Sequence, residues 1–344
     1  TLDMTGDATR AFYISDGASV TLERMVVTNC SITDADGGAI FLTGSFPSLI
    51  TRDCTFSNNQ ALPDIDGSTG QGGALAFSTI GGTFLGDNIA VVGNQAKGGG
   101  GIAPRNTVCH LQDSLVSSNT AASGGGIGVF NDTSLGDTFF CNNTEISHNL
   151  ANGSAALDGG GGILILNANL CLESSTISFN SAPIRHGGGL SVASMLSPDE
   201  LPHVKATDTV FFGNDAYNGG GIYILAATFT ACSNVSVFGN SAANGGGIAL
   251  WGGNFGAEDI EVYGNTVSPI PPDSAYGGGI FWNSMLGATI TTNGNPWQSP
   301  QSVENPFSVD LFGNIHTTPV PGDPVQVYDN SKDGNPDQMH YYVE

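Results

Sequence analysis

Gly37-Gly38-Ala39-Ile40 and, further along, Phe56-Ser57-Asn58-Asn59 decide how this chain is read. Paired glycines lead into an aliphatic residue and an alternating strand, and an apolar residue then stands three positions before an Asn. The first signal returns at Gly72-Gly73-Ala74-Leu75, Gly100-Gly101-Ile102, Gly125-Gly126-Ile127, Gly161-Gly162-Ile163, Gly188-Gly189-Leu190, Gly220-Gly221-Ile222, Gly246-Gly247-Ile248 and Gly278-Gly279-Ile280. The second aligns Asn29, Asn59, Asn94, Asn119, Asn149, Asn180, Asn214, Asn240, Asn265 and Asn314. Before them stand Val26, Phe56, Val91, Val116, Ile146, Ile177, Phe211, Val237, Val262 and Leu311. Two motifs in fixed order every 25–36 residues mean a repeat architecture.

Each motif has a physical use. An Asn repeated at one corner of a coil can bond the turn backbone and the equivalent amide one rung away. The sequence therefore predicts a structural ladder through Asn59, Asn94, Asn119, Asn149, Asn180, Asn214, Asn240 and Asn265. Glycine runs suit corners that need positive φ or close approach to the next rung. In the strand that follows, as in Ile222-Tyr223-Ile224, the first and third residues point inward. Stacked in parallel, about three short strands per rung bury a continuous aliphatic core.

The paired motifs resemble the GGA(I/L/V) and FxxN repeats of the polymorphic outer membrane protein family, which Gly37–Ile40 and Phe56–Asn59 match almost literally. The resemblance covers residues 20–282 and implies a right-handed parallel β-helix, carried as a passenger on the bacterial surface and linked to adhesion. The middle repeats depart from it by reading GGGI, and no C-terminal barrel pattern of alternating, aromatic-terminated strands follows. The expected architecture is all-β: a β-helix of about ten rungs over 1–282, with a last degenerate rung and an irregular C-terminal cap over 283–344.

Composition narrows the function. Fifty glycines without a collagen period and a 40% hydrophobic fraction describe a folded solenoid. A net charge of −23 with eight Lys plus Arg disfavours nucleic acid and anionic membranes as partners. No apolar run reaches the roughly 18 residues of a membrane helix, and no signal peptide stands at the start, as in a mature form or a fragment. Six cysteines lack any CxxC. They read either as small core thiols or as inter-rung disulfides, with Cys30–Cys54 and Cys141–Cys171 the candidate pairs.

Three features carry candidate chemistry. Six positions before the Asn column stand Glu23, Asp53, Asn88, Asp113, Asn143, Ser174, Asp208, Asn234, Asp259 and Ser308. A row of carboxylates would serve calcium or a glycosidase acid pair, but short polar side chains also bond the backbone where a strand begins after a turn, which is the favoured reading. Two positions before the Asn, serines give way to Phe212, Phe238, Tyr263 and Phe312, with Tyr223, Trp251 and Trp282 in the same third of the chain. This aromatic stripe is the candidate contact for a protein or glycan, unless loops at 194–205 and 291–310 cover it. Finally, Asp329, Ser331, Asp333 and Asp337 resemble half of a calcium loop, making calcium the one cofactor considered, although His340 stands where a bidentate Glu belongs.

The pectate-lyase and polygalacturonase types of β-helix enzyme bring an Arg or Lys base beside calcium, or clustered Asp with His and Arg-x-Lys. No Asp-Asp pair, Gly-His-Gly or Arg-x-Lys occurs here. The sequence thus predicts a non-catalytic extracellular or cell-surface protein, adhesive or structural, binding protein or glycan or assembling with itself. A polysaccharide-active or carbohydrate-binding β-helix is the alternative. Sequons stand at Asn29, Asn131, Asn142, Asn152 and Asn234, with Asn29 expected to be inaccessible as a corner residue.

Overall fold

The glycine and asparagine periods resolve into a parallel β-helix. The computed structural model describes residues 1–267, other than 65–67, 132–137, 156–157, 195–200 and 258, and residues 278–283. Beyond these it describes only the strand segments between Thr289 and Tyr342. Among the described residues there is no helix. From Phe12 to Val267 the chain makes nine rungs, a stack about 40 Å long at about 4.8 Å per rung.

Every rung repeats one path. A post-glycine strand such as Ile163–Leu166 leads into a pre-corner strand such as Asn169–Glu173. A tight corner then opens the three-residue asparagine-sheet strand, Thr176–Ser178, and a short strand follows the Asn. Each strand pairs in parallel with its counterpart one rung on, as in Ile163↔Leu190, Leu170↔Val204 and Ile177↔Phe211. In two rungs the first two strands run together, as Leu75–Asp87 and Ile102–Gln112.

Alternation sorts side chains as the period of two demands. In the asparagine sheet the middle residue points inward, so Phe56, Val91, Val116, Ile146, Ile177, Phe211, Val237 and Val262 are fully buried. Phe211 meets Phe229 edge-on across the core at 6.4 Å, and Phe229 stacks on Phe255 one rung on at 5.5 Å and 8°. The glycine turn has a division of labour, visible at Gly124-Gly125-Gly126. Gly124 takes a positive φ of 62°. A Cβ on Gly125 would meet the Gly161 carbonyl at 2.4 Å, and one on Gly126 would meet the Asn149 amide at 2.9 Å. The third glycine of GGGI therefore makes room for the ladder Asn of the next rung, the place Ala holds in the first two repeats.

Both ends differ from the expected alignment. In the first rung Val27, not Val26, opposes Phe56 and is buried, so the register slips by one. Cys30, not Asn29, then sits at the ladder position, its N–H donating to Asn59 Oδ1 at 3.0 Å. Asn29 is partly exposed instead, and its Nδ2 donates to Asp3 and Thr5.

At the other end, parallel stacking continues past residue 282. Val325–Tyr328 lies on Ile260–Tyr263, with Val262 opposite Val327. Met339–Tyr342 lies on Ile280–Asn283. Leu311 is outside the described residues, and Asn314 belongs to a strand running antiparallel to Phe307–Val309 and Met339–Tyr342. The tenth apolar-x-x-Asn signal is thus Val327 with Asn330, hidden by the long insertion before it.

No disulfide joins the cysteines among the described residues. Parity forbids Cys141–Cys171, because Cys171 opposes Phe140 and points outward while Cys141 opposes Leu172 and points inward. Cys30 and Cys54 sit at opposite ends of the asparagine-sheet strand, one in the ladder column and one just after the other corner. Burial raises the thiol pKa of Cys30, Cys141 and Cys171.

Candidate functional site

The asparagine sheet carries the ladder on its inner side and two distinct surfaces on its outer side. Its strands of three or four residues lie between two corners, both in the left-handed region. The first corner holds Asp53, Asn88, Asp113, Asn143, Ser174, Asp208 and Asn234 at φ 45–51°. The second holds Asn58, Gly93, Ser118, His148, Phe179, Gly213, Gly239 and Gly264 at φ 53–68°. Asp and Asn tolerate such φ better than other side chains, and that conformation accounts for the polar column read from the sequence.

Behind the second corner the ladder runs unbroken from Asn59 to Asn265. Asn119 shows the unit: its N–H and Nδ2–H both donate to Asn149 Oδ1, at 2.9 and 3.0 Å, and Nδ2 also donates to the Val91 carbonyl at 2.9 Å. Asn94 gives Asn119 the same pair of bonds. From Asn94 to Asn240 each side-chain amide thus accepts twice and donates twice in a buried column, where an unmade bond is costly.

Outside the first corner lies an open groove of about 700 Å³ spanning five rungs. Asp53, Asn88, Asp113, Asn143 and Ser174 form one wall, and Thr55, Ala90, Leu115, Glu145 and Thr176 the other. The corner amides bond the neighbouring carboxylates: Asn88 to Asp53 at 2.7 Å and Asn143 to Asp113 at 2.6 Å. The bond from Asn143, aided by Gln112, holds the Asp113 carboxyl below the ordinary range. Glu23 and Arg52 pair at 3.1 Å on the surface, a contact worth about 0–1 kcal/mol.

Towards the C-terminal end the outer face changes to aromatic. Phe212 and Phe238 stack at 5.4 Å and 9°, Phe238 and Tyr263 at 4.9 Å and 8°. Register places Tyr328 next in this column, whereas Phe312 lies outside the described residues. The ladder also extends the other way, through residues one position off the column. Phe179 meets Phe212 edge-on at 4.8 Å, and His148 stacks on Phe179 at 5.2 Å. Phe179 adopts φ 53° and is 50% exposed. A bulky residue is disfavoured at that φ, so an exposed Phe there is a strained choice of the kind found at functional positions. Its ring lies over Gly213, where an added Cβ would come within 2.7 Å of it.

The other predicted contacts separate from this face. Tyr223 is 5% exposed, in a cluster with Ala249 and Phe281 on the post-glycine sheet. It points outward by parity but is covered, the His186 ring stacking on it at 4.4 Å. Trp251 packs half-buried against that cluster, and the Trp282 side chain lies outside the described residues. Ser331 belongs to a short strand paired with Thr266–Val267, while Asp329, Asp333 and Asp337 lie outside the described residues. Among the described residues no three His, Cys, Asp or Glu side chains are grouped to hold a metal.

Residues 53–78 match the Chlamydia polymorphic membrane protein repeat. The similarity covers that one stretch of the chain. The matched stretch runs from the Asp53 corner through Phe56 and Asn59 and the Gly72-Gly73 turn into the next strand, nearly one full rung. No curated protein and no solved structure gave a match. No helix among the described residues is long and apolar enough to cross a membrane.

Proposed function

We propose that this chain is a non-catalytic, surface-displayed β-helix that binds a partner through the outer face of its asparagine sheet, serving adhesion or surface assembly. The observation that carries the reading is the aromatic ladder from His148 to Tyr263, held half-exposed on a rigid, regular scaffold. Exposed apolar surface of this extent usually serves recognition. Asn143 and Gln112 hold the Asp113 carboxyl ionised, so it does not supply the protonated carboxyl that a glycosidase general acid needs.

The test is saturable binding of labelled, purified chain to intact cultured cells and to a glycan array, beside a F212S/F238S/Y263S variant. The reading expects binding to at least one of these that falls about tenfold or more in the variant. Binding that the substitutions leave unchanged, or no saturable binding, would overturn it.

A further inference from the structure

The ring geometry and the charge beside it specify the partner's chemistry. We infer that the aromatic face takes a basic polypeptide segment that brings apolar side chains flanked by Lys or Arg. This rests on the proposed role of the face and narrows it.

The first argument is how the rings are spent. A sugar binds an aromatic residue by laying its C–H face on the ring face. Here Phe238 has Phe212 stacked on one face and Tyr263 on the other, within 9° of parallel. What the ladder offers outward is a row of ring edges. Such a row is corrugated apolar surface suited to aliphatic or aromatic side chains.

The second argument is the rim. In the same rungs stand exposed Asp208 and Asp259 and half-buried Glu261, which lies close enough to raise the Tyr263 hydroxyl pKa, secondary to burial. Asn234 bridges the first two, donating from Nδ2 to Asp208 and from its backbone N–H to Asp259. Lys205, the nearest cation in sequence, sits on the pre-corner sheet opposite Cys171 and Thr230, away from this strand. Charge complementarity then selects a cationic occupant, and it argues against a second copy of a chain with net charge −23. Two copies meeting face to face would set the acidic rims against each other.

The test is fluorescence polarisation with a short labelled peptide alternating lysine and leucine. Lysine–serine and glutamate–leucine peptides and a soluble glucan oligosaccharide serve as rivals. The inference expects the lysine–leucine peptide to bind at least about tenfold more tightly than any rival. That affinity should fall about tenfold in F212S/F238S/Y263S, and similarly in D208N/D259N/E261Q, and weaken as NaCl rises from about 0.05 to 0.5 M. Near-native circular dichroism and melting of both variants keep the comparison interpretable. Peptide affinity unchanged by the aromatic substitutions, or failure of the peptide to bind, overturns the inference. Glucan binding that depends on the same rings overturns the partner chemistry while leaving the role of the face intact.

Discussion

At the residue scale, the ladder makes single amides decisive. Asn119→Ala removes the acceptor of two Asn94 donors and the donor to the Val91 carbonyl, all buried. The expected cost is about 3 kcal/mol in urea unfolding, and Asn119→Asp should cost more by burying a charge that cannot donate. Loss below about 0.5 kcal/mol in both would mean the column is not holding the stack. The corners offer the opposite sign. Ser174 sits at φ 49° in a column that Asp and Asn otherwise fill from Asp53 to Asn234. Ser174→Gly should stabilise by about 0.5–1 kcal/mol and Ser174→Val destabilise by about 1–2, measured by the same unfolding curves.

At the element scale, a second side-chain column stands at the glycine turns, where Asn244 donates to Asn218 at 2.8 Å and Asn218 Nδ2 bonds His186 Nδ1 at 2.9 Å. That bond needs an unprotonated Nδ1. Burial, with Arg185 beside it, lowers the His186 pKa from 6.5 to about 4. The unfolded chain therefore binds a proton between these values that the folded chain refuses. The His186 contribution is complete above about pH 6.5 and is lost as pH falls towards 4. Discounted for partial exposure, it amounts to about 1–2 kcal/mol, and His186→Gln should flatten stability against pH across that window. An identical acid profile for wild type and variant would remove His186 from the account.

Elements also show what the sequence could reveal. Columns with a period of one rung were legible because inward apolar residues and ladder amides repeat without exception through the middle rungs. The first rung slipped because Cys30 replaces the Asn while a decoy, Asn29, stands beside it. Phe179 escaped notice because it occupies the corner position rather than the outward strand position, although its ring joins the same ladder. Tyr223 misled because outward parity does not guarantee exposure when another ring lies over it. The groove was legible as a polar column, but the left-handed corner conformation was not.

At the scale of the whole molecule, the stack is held by parallel pairing, an aliphatic core and amide ladders, without covalent staples among the described residues. Added reductant should accordingly leave the melting temperature unchanged within about 2 °C, whereas loss of a disulfide typically costs about 2–5 kcal/mol. A marked fall would show that a cross-link had been missed. The division between an inner face that stabilises and an outer face that binds is the central claim. It is tested most directly by measuring thermal melting and cell-surface or glycan-array binding together for wild type and F212S/F238S/Y263S. The account predicts melting temperatures within a few degrees of each other and at least about a tenfold loss of binding in the variant. A variant that folds normally and binds as well as wild type would contradict it.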